Sequence, residues 1–310
     1  SIDGAKANLE AELPDWNFKR TIANAEKAWA QELSKMEVTS DDEAAKRTFY
    51  TALYHTMIAP SIFCDVNGDY RGADGQIHKG EGHTTYTTYS LWDTYRAAMP
   101  LMSIIQKERM TDIVNTMINI CDEQGRLPVW HLWGCETDCM VGNPGLISVA
   151  DAIVKGDTGI DKERAYEAVK KTAMHPGRGN NYRIEVGFIP SDKMNQNIAY
   201  DMEYAIADGA AAYAARVLGK DADAEYFEKR SHSYRNYFDP ETKFIRGRLS
   251  DGSWRVPFDP YHSSHNNDDY CEGNAWQYLW LVPQDLDLLV ECFGGVEQTL
   301  EKLDGLFTAD

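Results

Sequence analysis

Apolar residues recur every three or four positions along most of the chain, which is the period of a helix with one buried face. The clearest stripes run from Met110 to Cys121 and from Ile198 to Val217. Such segments predict two helices before residue 38, around 3–12 and 18–36, and about ten more after residue 40. The later helices are centred near residues 50, 97, 115, 150, 167, 207, 229, 276, 288 and 300.

Local signals place some helix ends. Ser40 and Glu43 have the spacing of a capping box, which predicts a helix from there to about Met57. Gly219 is expected to end the helix that begins near Ile198, and Asp221 to cap the next one.

Short turns alternate with long loops, and the long loops hold most of the glycine, tryptophan and histidine. They cover residues 60–89, 124–143, 174–195 and 239–270. Short strands are expected at Asp69–Arg71 and Lys243–Arg255, with Asp251-Gly252 as a hairpin turn. Paired helices with elaborate loops at one end predict an all-α (α/α) toroid. A closed toroid of six hairpins needs twelve helices, so the count of about ten predicts a ring incomplete at its C-terminal end.

Charge and composition narrow the partners. The 310 residues carry a net charge of −18, which repels nucleic acid and anionic membranes. No apolar run approaches the roughly 20 residues of a membrane span. The first residues show no basic start followed by an apolar stretch, so we expect no signal peptide in this sequence.

Two metal-like patterns are weak. His131, Cys135 and Cys139 lie four residues apart, but three candidates without a second cluster favour buried free thiols over zinc. The six cysteines are too scattered for a small disulfide framework.

The second pattern is the start of an EF-hand loop at Asp65, Asn67 and Asp69. Tyr70 stands where that loop requires glycine, and Gln76 where it requires glutamate. A polar turn leading into a hairpin explains the pattern better.

The run Ser90–Arg96 is the first candidate for chemistry. Asp93 and Arg96 are three apart, so on a helix they share a face and could pair. Trp92 beside them offers an apolar ring of the kind that stacks on sugars. A structural ion pair at a helix start is an equally good interpretation.

The run Trp130–Pro144 is the second candidate. It concentrates two tryptophans, a histidine and the carboxylates Glu136 and Asp138 in one loop. The alternative is aromatic packing over the end of the helical ring.

The third candidate is Glu272, at the mouth of a predicted helix whose next turn contains Trp276 and Tyr278. A general acid must hold its proton at working pH, whereas a helix N-terminus favours a charged carboxylate. Burial beneath the two aromatic rings would have to prevail. The local chemistry alone favours a simple helix cap.

Taken together and in order, these runs resemble glycoside hydrolase family 92, the calcium-dependent exo-acting α-mannosidases. The resemblance is carried by Phe49–Thr56, Asp65–Gly72, Ser90–Arg96, Gly134–Thr137, Ala150–Ala152, Glu203–Ala205, Pro257–Pro260 and Glu272–Tyr278.

The resemblance implies an N-terminal β-sandwich, an (α/α)6 toroid and an active site between them. Residues 1–38 would be the helices that link the two, and residues 39–310 two-thirds or more of the toroid. The implied reaction is hydrolysis of terminal α-mannosides of glycans, often α-1,2-linked, with inversion. Glu272 would be the general acid and Asp93 a contact to sugar hydroxyls, and further pocket candidates would be Trp92, Arg96, Glu136 and Trp276.

The resemblance also implies calcium as a cofactor and a secreted or periplasmic location in bacteria. No metal ligand is assigned within this sequence. The family's Gly-Asn-Glu-Pro run is not found, nor is the Gly-Asn-Asp/Glu-Asp run that carries its base aspartates. The nearby candidates for a base are Asp268 and Asp269, which precede Glu272 on the same side and are poorly placed.

We therefore expect this chain to be inactive alone. A non-catalytic toroid that binds carbohydrate or a protein partner is the alternative. A lyase is a third possibility and would need a His/Tyr or Arg/Tyr pair at the same mouth. An open toroid edge would also expose apolar flanks and favour self-association.

Overall fold

The computed structural model describes residues 1–80, 82–265 and 267–309, and in these ranges the chain forms fourteen α-helices and eight short strands. The helices are α1 (Ile2–Glu12), α2 (Phe18–Leu33), α3 (Glu43–His55), α4 (Leu91–Thr94), α5 (Ala98–Ile105), α6 (Lys107–Gln124), α7 (Pro144–Lys155), α8 (Lys162–Ala173), α9 (Asn180–Val186), α10 (Asn197–Val217), α11 (Asp221–Ser231), α12 (Ala275–Tyr278), α13 (Leu286–Phe293) and α14 (Val296–Thr308). Every predicted helix is present. A 3-10 turn, Ser233–Asn236, follows α11.

The strands form four antiparallel pairs in the long loops. They are β1 (Ser61–Ile62) with β4 (Tyr86–Thr87), β2 (Asp69–Arg71) with β3 (Ile77–Lys79), β5 (His131–Leu132) with β6 (Cys135–Glu136), and β7 (Phe238–Asp239) with β8 (Phe244–Ile245). The strand expected at 69–71 is confirmed. The strand expected within 243–255 is present as β8, which pairs with β7, and the hairpin around the predicted turn at Gly252 contains one bridge, Arg248 to Trp254.

Two helix starts differ from the prediction. Asp42, not Ser40, caps α3, because its carboxylate accepts the N–H groups of Ala44 and Ala45 at 2.9 and 3.0 Å. Asp221 is the first residue of α11 rather than its cap. Gly219 follows the end of α10 in the left-handed conformation, as predicted.

The long helix α10 organises the core. Its C-terminal half packs between α7 and α11, and runs of alanine such as Ala211, Ala212 and Ala215 let the neighbouring helices approach closely. Together with α6 and α8 these helices bury the first apolar cluster, in which Ile113 and Leu146 are fully covered.

The N-terminal half of α10 belongs to a second apolar cluster. Ile198 and Met202 pack there with Tyr237 and with Tyr278 and Leu279 from α12 and the residue after it. The two clusters meet along α10, and the long loops that carry the candidate residues gather at this junction.

The first two helices lie outside both clusters. Neither α1 nor α2 has a buried residue, and α2 packs on α3. In the described part of the chain, no helix has both the length and the apolar character needed to cross a bilayer.

Candidate active site

The turn that carries Asp93 is fixed by its neighbours. Leu91 is fully buried, and its N–H donates to the carbonyl of Val129 at 3.4 Å. Asp93 itself is exposed and accepts the hydroxyl of Ser90. Arg96 pairs with Glu203 instead of Asp93, so the predicted pairing across one turn is wrong. Local spacing favoured it, but a partner on another helix lies closer.

Glu203 on α10 is a buried carboxylate of the candidate site that the sequence analysis did not single out. Its side chain is only 2% exposed, and it accepts the indole N–H of Trp92 at 3.0 Å and the hydroxyl of Tyr95 at 2.7 Å besides the Arg96 guanidinium. Burial raises the pKa of the Glu203 carboxyl, and the charge of Arg96 opposes that shift. A carboxylate at a core position of a helical stripe was the available signal.

Glu272 lies in a loop that is held on both sides. On one side the hydroxyl of Tyr278 donates to the carbonyl of Cys271 at 2.8 Å and accepts its N–H at 3.3 Å. On the other side Asn274 and Gln277 form a reciprocal capping box at the start of α12. Asn274 is therefore the helix cap, and the interpretation of Glu272 as that cap is wrong.

Between these fixed points Glu272 has φ = +50° and an exposed side chain. A left-handed conformation costs a residue with a Cβ about 1–2 kcal/mol. Such conformations persist where the surrounding structure imposes them, and they cluster at functional sites.

The two aromatic side chains expected to bury Glu272 face elsewhere. Tyr278 packs against Tyr270 with ring centres 5.3 Å apart, inside the second cluster. Trp276 packs against Phe244 at 4.8 Å and under the ammonium of Lys302 at 4.5 Å. The predicted burial is therefore not found among the described residues, because both rings complete the core. A sugar contact by Trp276 stays a prediction.

The segments with Asp93, Glu203 and Glu272 share one region. Trp92 packs against the second cluster, which contains Cys271 and Tyr278. Burial raises the pKa of the Cys271 thiol to about 11, and the charges of Glu272 and Glu203 add to the shift. The same carboxylates thus act on one thiol from two different segments.

Glu136 holds its own loop. Its carboxylate accepts the N–H groups of Val129, Trp130 and Asp138 at 2.8, 2.9 and 2.9 Å. Both oxygens are thereby used by the backbone of the β5–β6 hairpin. A direct sugar contact by Glu136 stays a prediction.

The same loop ends against Glu203. Gly142 has φ = +79°, and a Cβ added there would lie 2.5 Å from the Cβ of Glu203. Arg178 donates to the carbonyls of Met140 and Gly142, the latter at 2.8 Å. The glycine allows this loop to press directly on the buried carboxylate's helix.

Asp268 and Asp269 are held by hydrogen bonds and an ion pair within the protein. Asp268 accepts the N–H groups of Ser264 and Asp269 at 2.8 and 2.7 Å. Asp269 pairs with Arg255 at 2.7 Å. Burial raises the pKa of Asp269, opposed by that pairing.

No metal centre forms from the described residues, since they contain no group of three or more His, Cys, Asp or Glu side chains placed to hold an ion. His131 is buried, whereas Cys135 and Cys139 are exposed. All six cysteines are free thiols, but Cys135 and Cys139 are exposed, so the expectation that these two are buried is wrong.

Comparison with known proteins gives concordant matches. The family model described as glycosyl hydrolase family 92 catalytic domain matches residues 4–310. A curated protein of Arthroderma benhamiae, named an uncharacterized secreted glycosidase, is 28% identical over 98% of this chain and 40% of its own length.

Two solved structures from Bacteroides thetaiotaomicron are also similar. One is a family 92 alpha-mannosidase, also solved with mannoimidazole, which is 42% identical with a TM-score of 0.95 over 100% of this chain and 41% of its own. The other is a family 92 inverting mannosidase, which is 30% identical with a TM-score of 0.91 over 98% of this chain and 42% of its own.

This chain therefore spans about two fifths of the length of these relatives. The likeness confirms the predicted fold class, all-α with the helices of an (α/α)6 toroid. A match across residues 4–310, together with the ordered runs from Phe49 to Tyr278, shows that the chain belongs to glycoside hydrolase family 92.

Proposed function

We propose that this chain is part of the catalytic domain of an exo-acting, inverting α-mannosidase that releases mannose from terminal α-mannosides of glycans, with α-1,2 linkages foremost. Membership of family 92 supports the proposal, as do two similar structures that are mannosidases. One of these relatives is named inverting, and the other was solved with mannoimidazole.

The conformation of Glu272 is the observation that carries the proposal. Its backbone is left-handed, its carboxylate is exposed, and the residues on either side are clamped by Tyr278 and by the Asn274–Gln277 capping box. This arrangement maintains a costly backbone geometry to present one carboxyl group.

In the proposed reaction Glu272 donates its proton to the glycosidic oxygen as the bond from that oxygen to the anomeric carbon breaks. A water attacks the anomeric carbon from the opposite face and gives its proton to a second carboxylate. Asp93 accepts hydrogen bonds from sugar hydroxyls, and the half-buried ring of Trp92 and the exposed Arg96 border the sugar.

Inversion needs the two carboxyl groups to be roughly 6.5–9.5 Å apart with a water between them. Asp268 and Asp269 are held by backbone amides and by Arg255. The base is therefore proposed to lie outside the described residues, and this chain is expected to be inactive alone.

Calcium stays a prediction from the family resemblance. Hard cations such as calcium need several oxygen ligands. Among the described residues, no group of three or more His, Cys, Asp or Glu side chains is placed to hold an ion, so we assign no calcium ligand within this chain. The calcium site is proposed to be incomplete in this chain, and the proposed reaction assigns no step to the ion.

The domain boundaries and the location are proposals of the same kind. Residues 1–38 are proposed to link a preceding β-sandwich to the toroid that begins near residue 39. A secreted or periplasmic location is in keeping with the relative named as a secreted glycosidase.

The test compares this chain with the protein encoded by the complete reading frame around it, called the complete protein below. Hydrolysis of an aryl α-mannoside is expected only for the complete protein, with β-mannose as the first anomer seen by proton NMR. Glu272→Gln should abolish turnover, whereas Glu185→Gln, an exposed glutamate on α9, should not. Turnover by this chain alone would refute the external base.

The alternative is a non-catalytic toroid that binds carbohydrate or a protein partner. The observation that favours it is that Asp268 and Asp269, the nearby candidates for a base, are held by hydrogen bonds and an ion pair. Binding of mannose-containing glycans without turnover by the complete protein on any α-mannoside would select it.

A lyase is less well supported. Tyr95 and Arg96 are the Arg/Tyr pair it would need, but both bond to Glu203. Burial also raises the pKa of Tyr95, with the charge of Glu203 adding to the shift, and a base requires the opposite change.

A further inference from the structure

Glu203 is a charged side chain at a position where the fold needs an apolar one. Its neighbours on α10, Met202 and Ala205, are fully buried core residues, and Glu203 is 2% exposed. Burying a carboxylate costs free energy even when it is paired. A residue that breaks the local packing rule in this way is expected to serve a site.

Its three side-chain donors come from one face of one turn. Trp92, Tyr95 and Arg96 are spaced i, i+3 and i+4, and all three bond to the same carboxylate. Asp93 lies about 100° around the helix axis from Trp92 and is exposed. Fixing one face of the turn therefore determines where Asp93 points.

Glu203 also touches the neighbouring loop. Its Cβ lies where a side chain on Gly142 would begin, and Arg178 holds that loop end by the Gly142 carbonyl at 2.8 Å. One buried residue thus contacts both the turn with Asp93 and the loop that runs from the β5–β6 hairpin.

We infer that Glu203 is a positioning residue: its carboxylate, bonded to Trp92, Tyr95 and Arg96, holds the Ser90–Arg96 turn so that Asp93 meets the sugar. Glu203 itself does not contact the substrate. The inference rests on the proposed function for its effect on turnover, but the position of the turn is measurable without substrate.

The test uses Glu203→Gln in the complete protein. Hydrogen exchange followed by mass spectrometry should show at least tenfold faster exchange in the peptide spanning residues 90–97. In the same variant KM for an aryl α-mannoside should rise at least tenfold, while the pH profile of kcat keeps its wild-type shape because Glu272 is untouched. A merely structural role would lower the folded fraction, and hence the apparent kcat, without moving KM.

Asp239→Asn is the matched control, because Asp239 is an equally buried carboxylate paired with an arginine, Arg246, at 3.0 Å. It should leave exchange at 90–97 and KM unchanged. Tyr95→Phe removes one of the bonds without changing charge, and it should show a smaller effect of the same kind even if Glu203→Gln does not fold.

Unchanged exchange at residues 90–97 in both Glu203→Gln and Tyr95→Phe would overturn the inference. If the complete protein is inert on every α-mannoside, the proposed function fails. The exchange measurement then still decides whether Glu203 holds the turn.

Discussion

Replacing Tyr278 with phenylalanine tests whether its two hydrogen bonds to the backbone of Cys271 position Glu272, the proposed acid. The substitution removes only the hydroxyl, which donates to the Cys271 carbonyl at 2.8 Å and accepts its N–H at 3.3 Å. Cys271 is 5% exposed, so water cannot readily replace either bond. Glu272, the next residue, would lose one of the two constraints that hold φ at +50°.

The expected size follows from these contacts. A buried polar group left without a partner costs about 1–3 kcal/mol, with the shorter carbonyl bond contributing most. Relaxation of Glu272 from the left-handed region returns about 1–2 kcal/mol. The free energy of unfolding should therefore fall by at most about 2 kcal/mol. Turnover should fall about 100-fold, since displacing a reacting group by an ångström has effects of that order.

Urea unfolding and kcat of the complete protein measure the two effects. Tyr234→Phe is the control, because Tyr234 lies in the same cluster and loses a comparable bond, to Asp285 at 3.0 Å. It should lose similar stability with wild-type kcat. If Tyr278→Phe is destabilised but turns over like the wild type, the clamp does not position Glu272.

Three further predictions concern single positions. Gly142→Ala should lower the free energy of unfolding by about 2–5 kcal/mol, because overpacking against Glu203 adds to the left-handed penalty. Gly156→Ala, at φ = +76° with nothing within 4 Å, should show only the penalty of about 1–2 kcal/mol in the same urea titration. Glu272→Gly should leave stability within about 1 kcal/mol of wild type or slightly higher, since glycine adopts positive φ freely, yet abolish turnover; a clear loss of stability would contradict the strain. Burial lowers the pKa of His131 from its ordinary value of 6.5. The folded state therefore binds fewer protons than the unfolded state near this pH, and the free energy of unfolding should fall as pH drops below about 6.5. Because neither ring nitrogen has a partner among the described residues, His131→Leu should keep its fold and flatten this slope between about pH 7.5 and 5.5, and an unchanged slope would show that His131 is not its source.

The parts of the fold that depend on periodicity could be predicted from the sequence. A long apolar stripe such as Ile198–Val217 predicts a helix by its period alone, and the corresponding helix, α10, ends where Gly219 predicted. The short helix α9, between left-handed Gly179 and Gly187, was not predicted, since seven residues are too few for a periodic signal.

The site divides in the same way. Asn274 and Gln277 have the spacing of a capping box, so the sequence could have predicted Asn274 as the cap of α12 instead of Glu272. The partner of Arg96 could not be predicted from the sequence, because Glu203 lies 107 residues further along the chain and only tertiary packing brings the two together. Trp276 and Tyr278 were expected to bury Glu272 and do not, because no sequence pattern says which way a ring will turn.

The helix α10 contributes to both apolar clusters, with Ile198 and Met202 in one and Ala211 and Ala215 in the other. Because one helix is shared in this way, we expect the two halves of the core to unfold together. Tryptophan fluorescence, to which Trp280 beside the second cluster contributes, and helical circular dichroism should then trace one cooperative transition. We therefore expect the loop with Glu272 to lose its order in the same transition as the central helix.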